Sequence, residues 1–198
     1  MHRIALFLLL QVSIHCAIHV QPVSDTIAIK VSTFEVTDIS DQTLASLHKF
    51  NITSAPKVII DLRDNSGGYI YEGISFAALF VEAESLITLI EQNGAPLIIT
   101  RPLNHPYIPT TELAIIINHQ TASAAEAAAH ILNKHPNAII IGEPSYGKLN
   151  MSPDNPSPYK SIQLPEPNIL PHIVTPIPTN LPFDTAILRA LAAINQQQ

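Results

Sequence analysis

The chain has 198 residues, 46% of them hydrophobic and only 13% charged, with 17 prolines, one cysteine and no tryptophan. That length suits one domain with its own core, and the low charge excludes a disordered polyampholyte. A net charge of −6 excludes nucleic-acid binding through a basic face, and the lone Cys16 excludes a disulfide framework or a zinc knuckle.

Arg3 precedes an apolar run from Ile4 to Ala17. Residues 1–20 read as a secretory signal peptide, cleaved after Cys16 or Ala17, with a buried N-terminal helix or strand as the alternative. The run is short for a bilayer-spanning helix, and no later stretch is apolar enough to span, so no stable membrane span is expected after signal removal. Ile27 to Phe34 is rich in β-branched residues and predicts a strand. Asp38 or Ser40 reads as an N-cap, with Leu44, Leu47 and Phe50 at helical spacing behind it. Lys57 to Leu62 is a short apolar strand of the kind buried on both faces in parallel sheets. It ends in the turn cluster Arg63-Asp64-Asn65-Ser66-Gly67-Gly68, and a helix is expected over Glu72 to Val81.

Leu86 to Ile90 and Ala95 to Thr100 are strand-like, with Asn93-Gly94 as the hairpin signal between them. Arg101 to Thr110 is a proline-bearing loop. Leu113 to Asn118 is a buried strand, Ala122 to Asn133 an alanine-rich helix, and Ala138 to Gly142 a further strand. Such alternation predicts α/β layers with right-handed crossovers. From 149 to 182 the prolines predict an extended, irregular segment, and a last helix over about Phe183 to Ile194 docks on the core.

Three loops follow three buried strands at their C-terminal ends, where open α/β sheets bind ligands. Gly67-Gly68 can turn sharply and expose N–H groups to a developing oxyanion. Ser123 lies among small residues at a helix start, which favours negative charge. The same residues also read as plain helix capping, with Thr121 or Ser123 as the cap and Glu126 completing a box. Lys148 sits in the Gly/Pro loop from Gly142; if buried, it is able to act as a general base, as in serine–lysine pairs. His119, four residues before Ser123, is an alternative base. His130 and His135 lack a carboxylate or cysteine at ligand spacing, so no metal site is expected. Asn51-Ile52-Thr53 and Asn150-Met151-Ser152 match glycosylation sequons.

Together the loops resemble the tail-specific, or C-terminal-processing, serine peptidase family. The residues that carry the resemblance are V-I-I-D-L-R-D-N-S-G-G at Val58 to Gly68, T-A-S-A-A-E at Thr121 to Glu126, and I-G-E-P-S-Y-G-K at Ile141 to Lys148. Lys148 follows Ser123 by the 25 residues that the family's dyad shows. The similarity also touches Ile27 to Phe34, Ser161 to Gln163 and Ile169 to Ile173. It implies an α/β fold with a Clp/crotonase-like core of stacked ββα units, one domain over 26–198. It implies a protein or peptide substrate, no cofactor and no metal. Ser123 would attack the carbonyl, Lys148 would take its proton, and the N–H groups of Ala124 and of Gly68 or Gly67 would hold the oxyanion. Activity would then rise with pH as the lysine deprotonates.

Glu126 and His119 are possible supporting residues, as is Ser152, which stands where the family usually has a glutamine. Leu149 stands where it usually has a glycine, and no room is left for a PDZ domain before the first strand. These departures motivate a second reading: a catalytically impaired member that binds peptides or acts as a scaffold.

Overall fold

The computed structural model describes residues 17–52, 57–148, 150, 159–164 and 168–175, with helical positions at 185, 188–190 and 192. Among them, strands β1 (Ile18–Val23), β2 (Thr26–Val31), β3 (Lys57–Asp61), β4 (Ser85–Glu91), β5 (Pro96–Thr100), β6 (Glu112–Ile117), β7 (Ala138–Gly142), β8 (Tyr159–Gln163) and β9 (Ile173–Val174) alternate with helices α1 (Ile39–Lys49), α2 (Ile70–Ala78) and α3 (Ala124–Leu132). The larger sheet runs β1-β2-β3-β6-β7-β9 and the smaller one β5-β4-β8. In the larger sheet only β1 is antiparallel to its neighbour.

The period-two register sorts each parallel strand's residues to two buried faces. Ile27, Ile29, Val58, Ile60, Leu113, Ile115 and Ile140 join the main core with the helices. Ala28, Ile59, Ala114, Ile116 and Ile141 form a second cluster on the opposite face, closed in part by fully buried Ala190. Ala190 lies in the expected C-terminal helix, whose ends at Phe183 and Ile194 fall outside the described residues. This is the single-domain α/β layering the sequence predicts. No helix among the described residues is long and apolar enough to cross a membrane.

Residues 18–20, which follow the cleavage positions expected at Cys16 and Ala17, belong to β1, and Ile18 pairs with Val31. Two local features differ from expectation. Asp38 stands at the N-cap of α1 with left-handed φ of 65° and no side-chain cap bond. The cap comes instead from α2, where Glu72 Oε2 accepts from Ile39 N at 3.0 Å. The proline-rich stretch contains β8 and β9, which extend β4 and β7. Tyr159 of β8 is fastened to α2 by a hydroxyl–hydroxyl hydrogen bond to Tyr71.

Where α3 meets the small sheet, a cavity of about 240 Å³ is lined by Ser85, Thr88, His130, Lys134 and Gln163, among others. Burial first, and the Lys134 charge second, pull the His130 pKa from 6.5 down to about 4. Between those values the unfolded chain binds the proton and the folded one does not. His130 therefore makes stability fall as pH drops from about 6.5 to about 4. Solvent reaches the ring, so the expected loss is about 1–2 kcal/mol rather than the ~3 of a fully desolvated group. His130→Gln should flatten the decline in melting temperature across that window. An unchanged slope would place the acid sensitivity elsewhere.

Candidate active site

The three loops converge at the C-terminal ends of β3, β6 and β7. The first is anchored by a buried ion pair: Asp61 Oδ1 accepts from Arg63 Nε at 2.9 Å and Oδ2 from Nη2 at 2.7 Å. Beyond it, fully buried Asn65 works in three directions. Its Nδ2 donates to Val31 O, its Oδ1 accepts from Gly67 N at 2.9 Å, and its carbonyl accepts from Ala122 N at 3.0 Å. Loop one is thereby fixed to β2 and to loop two.

Gly67 is pressed against the second loop. A Cβ there would lie 2.8 Å from Ala122 O, 2.9 Å from Ser123 Cβ and 3.0 Å from Ala124 N. The next glycine, Gly68, bridges in parallel to Phe34. Asn118 and Asp64 exchange two hydrogen bonds, Nδ2 to Oδ1 at 2.9 Å and Asp64 N to Oδ1 at 3.1 Å. Thr121 Oγ1 donates to Leu62 O at 2.9 Å.

Between these ties the backbone of half-buried Ser123 adopts φ 55° and ψ −117° at the N-cap of α3. Such a conformation costs a non-glycine residue about 1–3 kcal/mol and persists only where the surroundings impose it. At that N-cap Ser123 and Glu126 form a capping box, with the Glu126 carboxylate accepting from Ser123 N at 2.8 Å. Ala124 N is the first N–H of the helix, and among the described residues it and Gly68 N have no acceptor.

Glu126 ties the second loop to the third. Its side chain is fully buried. Oε2 accepts from Ser123 N and from Lys148 N, each at 2.8 Å. Oε1 accepts from Ser145 Oγ at 2.6 Å and Gly147 N at 2.7 Å. Two nitrogens on one oxygen stand at most twice 2.8 Å apart, so the backbones of Ser123 and Lys148 are neighbours. The serine and lysine singled out in the sequence are thus brought to one place by a carboxylate. Their side chains are not hydrogen-bonded to each other, and Lys148 is exposed rather than buried.

The remaining candidates separate. His119 Nδ1 pairs with Glu143 Oε2 at 3.2 Å on the exposed rim and makes no hydrogen bond to Ser123. His135 is a structural bridge: Nε2 donates to Thr110 O and Nδ1 accepts from Asn137 N. Ser152 lies outside the described residues. Tyr69 and Tyr146, which no motif marks out, stand exposed in the first and third loops.

A family model for peptidase family S41 matches residues 25–170, most of the chain and all three loops. The chain belongs to peptidase family S41. The carboxyl-terminal-processing peptidase 2 of Arabidopsis thaliana chloroplasts is 34% identical over 90 residues, covering 46% of this chain and 18% of its own length. The carboxy-terminal processing protease CtpA of Bacillus subtilis is 32% identical over 123 residues, covering 61% and 25%. This S41 chain therefore spans about a quarter or less of these curated relatives. Among solved structures, a photosystem II D1 C-terminal processing protease superposes with a TM-score of 0.60 at 21% identity, over 85% of this chain and 46% of its own. At that identity the likeness speaks for the fold.

Proposed function

We propose that this S41 chain carries the core of a serine endopeptidase, with Ser123 as nucleophile and Lys148 as general base. The observation that carries the reading is the buried Glu126 carboxylate, which holds Ser123 N and Lys148 N on one oxygen. From adjacent backbones, the flexible four-carbon stem of a lysine spans to the serine hydroxyl. A peptide laid over the loops would cover the exposed Lys148 amine and exclude water from around it.

Ser123 Oγ then attacks the peptide carbonyl while Lys148 Nζ takes its proton and passes it to the departing amine. Water hydrolyses the resulting ester by the reverse route. Among the described residues Ala124 N and Gly68 N are unoccupied donors suited to the oxyanion, whereas Gly67 N is committed to Asn65. The Arg3-led apolar run supports export from the cytoplasm.

A serine-directed fluorophosphonate should label Ser123, and Ser123→Ala and Lys148→Ala should each abolish that label and the cleavage of unfolded casein. The exposure of Lys148, together with Leu149 and Ser152, favours the second reading, a peptide-binding protein without peptidase competence. A folded chain that neither takes the probe at Ser123 nor cleaves casein would overturn the peptidase reading and favour this second one.

A further inference from the structure

A second serine, in a group that shares no residue with the Ser123 site, is hydrogen-bonded to a histidine. Ser75 lies on α2, and its Oγ is 3.1 Å from His105 Nε2. His105 Nδ1 is 3.0 Å from the carbonyl oxygen of Pro106. A carbonyl only accepts, so Nδ1 carries the ring proton and Nε2 of the neutral imidazole is the bare acceptor. Ser75 Oγ–H therefore donates to Nε2. Ser40 Oγ, 2.8 Å from Ser75 Oγ, must then be the donor in that pair, because the Ser75 proton is already committed. The bonds run in one direction: Ser40 to Ser75 to His105 to Pro106.

Two further observations separate this chain of bonds from ordinary helix chemistry. Hydroxyls within helices usually bond back to the carbonyl four residues earlier. Thr43 does so to Ile39 O and Ser46 to Gln42 O, whereas Ser75 is turned to the histidine. The histidine is also held in place. Arg101 donates from Nε to Ala78 O and from Nη2 to His105 O and Pro106 O, and Ile108 N donates to Leu79 O. Base and nucleophile are thus fastened to the same helix. Ser40, Ser75 and His105 are all half-buried, open enough for a small molecule.

We propose that Ser75 is a second activated hydroxyl, a nucleophile toward small acyl and phosphonyl donors with His105 as its general base. No carboxylate faces Nδ1, and the Arg101 guanidinium adds positive charge near the imidazolium that must form. Reactive esters, not peptides, are the matching substrate class. With p-nitrophenyl acetate, a bond forms from Ser75 Oγ to the acetyl carbon and the bond to nitrophenolate breaks. The Oγ proton moves to His105 Nε2 and on to water. With a fluorophosphonate, an O–P bond replaces the P–F bond and fluoride leaves.

The full-length protein is treated with p-nitrophenyl acetate or a small fluorophosphonate, and adducts are assigned to residues by peptide mass spectrometry. Ser75 should be modified in the wild type and in Ser123→Ala. His105→Gln should slow the Ser75 adduct about a hundredfold, the scale of general-base assistance. Added imidazole should restore part of the rate in His105→Ala. Absence of a Ser75 adduct in the folded wild type would overturn the proposal, as would an unchanged Ser75 rate in His105→Gln. Reading adducts by position keeps the fates of Ser75 and Ser123 separate.

Discussion

Glu126→Ala is expected to lower stability by about 3–5 kcal/mol and to abolish probe labelling at Ser123. The carboxylate is fully buried and accepts four hydrogen bonds, from Ser123 N, Lys148 N, Gly147 N and Ser145 Oγ. Each donor left without a partner costs about 1–3 kcal/mol while it stays buried. The sum is not additive, because the 147–148 end of the loop can swing toward water and recover part of it. That escape would remove the proposed chemistry: Tyr146 N still donates to Thr121 O at 2.9 Å, but no other described hydrogen bond holds the Lys148 backbone itself beside Ser123.

Glu126→Gln separates anchoring from bulk. The side chain keeps its shape and one accepting oxygen, but its NH2 must face N–H donors where Glu126 offers an acceptor. An intermediate loss of about 1.5–3 kcal/mol is expected, with labelling at Ser123 sharply reduced. Urea unfolding and labelling rates measure the two effects. Were Glu126 only a helix cap, Glu126→Ala would cost about 1 kcal/mol and leave labelling at Ser123 intact.

This carboxylate also shows what the sequence could and could not convey. T-A-S-A-A-E supports two competing interpretations, a capping box and a nucleophile turn. In the structure the oxygen that caps Ser123 N also holds Lys148 N, so the capping box is compatible with the proposed nucleophile turn. Only the fold brings 126 and 148 together, so local pattern could present the choice but not dissolve it. Strands β3, β6 and β7 were legible because burial on both faces demands unbroken apolar runs. The α1 cap was not, because its acceptor is Glu72, 33 residues away. Strands β8 and β9 were hidden by the surrounding prolines: each lies in a short gap between them, and neighbouring strands rather than local propensity set its pairing. The exposure of Lys148 likewise depends on what packs over the third loop, which no local spacing encodes.

Gly68→Ala should be the most damaging single methyl in the first of the three converging loops, at about 4 kcal/mol or more. Gly68 has φ +133°, and a Cβ would fall 2.1 Å from Phe34 C, 2.3 Å from Glu35 N and 2.4 Å from Phe34 O. All three are backbone atoms, so no side chain can rotate away. Relief requires the strand extension at Phe34 to retreat, breaking Phe34 N to Gly67 O at 2.7 Å and Tyr69 N to Phe34 O at 2.8 Å. It would also unseat the fully buried Phe34 ring from Phe76. Gly94→Ala is the control. Its φ of +86° is also left-handed, but a Cβ there meets nothing within 4 Å. That variant should cost only the backbone term of about 1–2 kcal/mol. The difference between the two melting curves therefore isolates the contact with Phe34. Equal losses would mean that the loop has room to withdraw, and Gly68 N would then not be held where an oxyanion donor must stand.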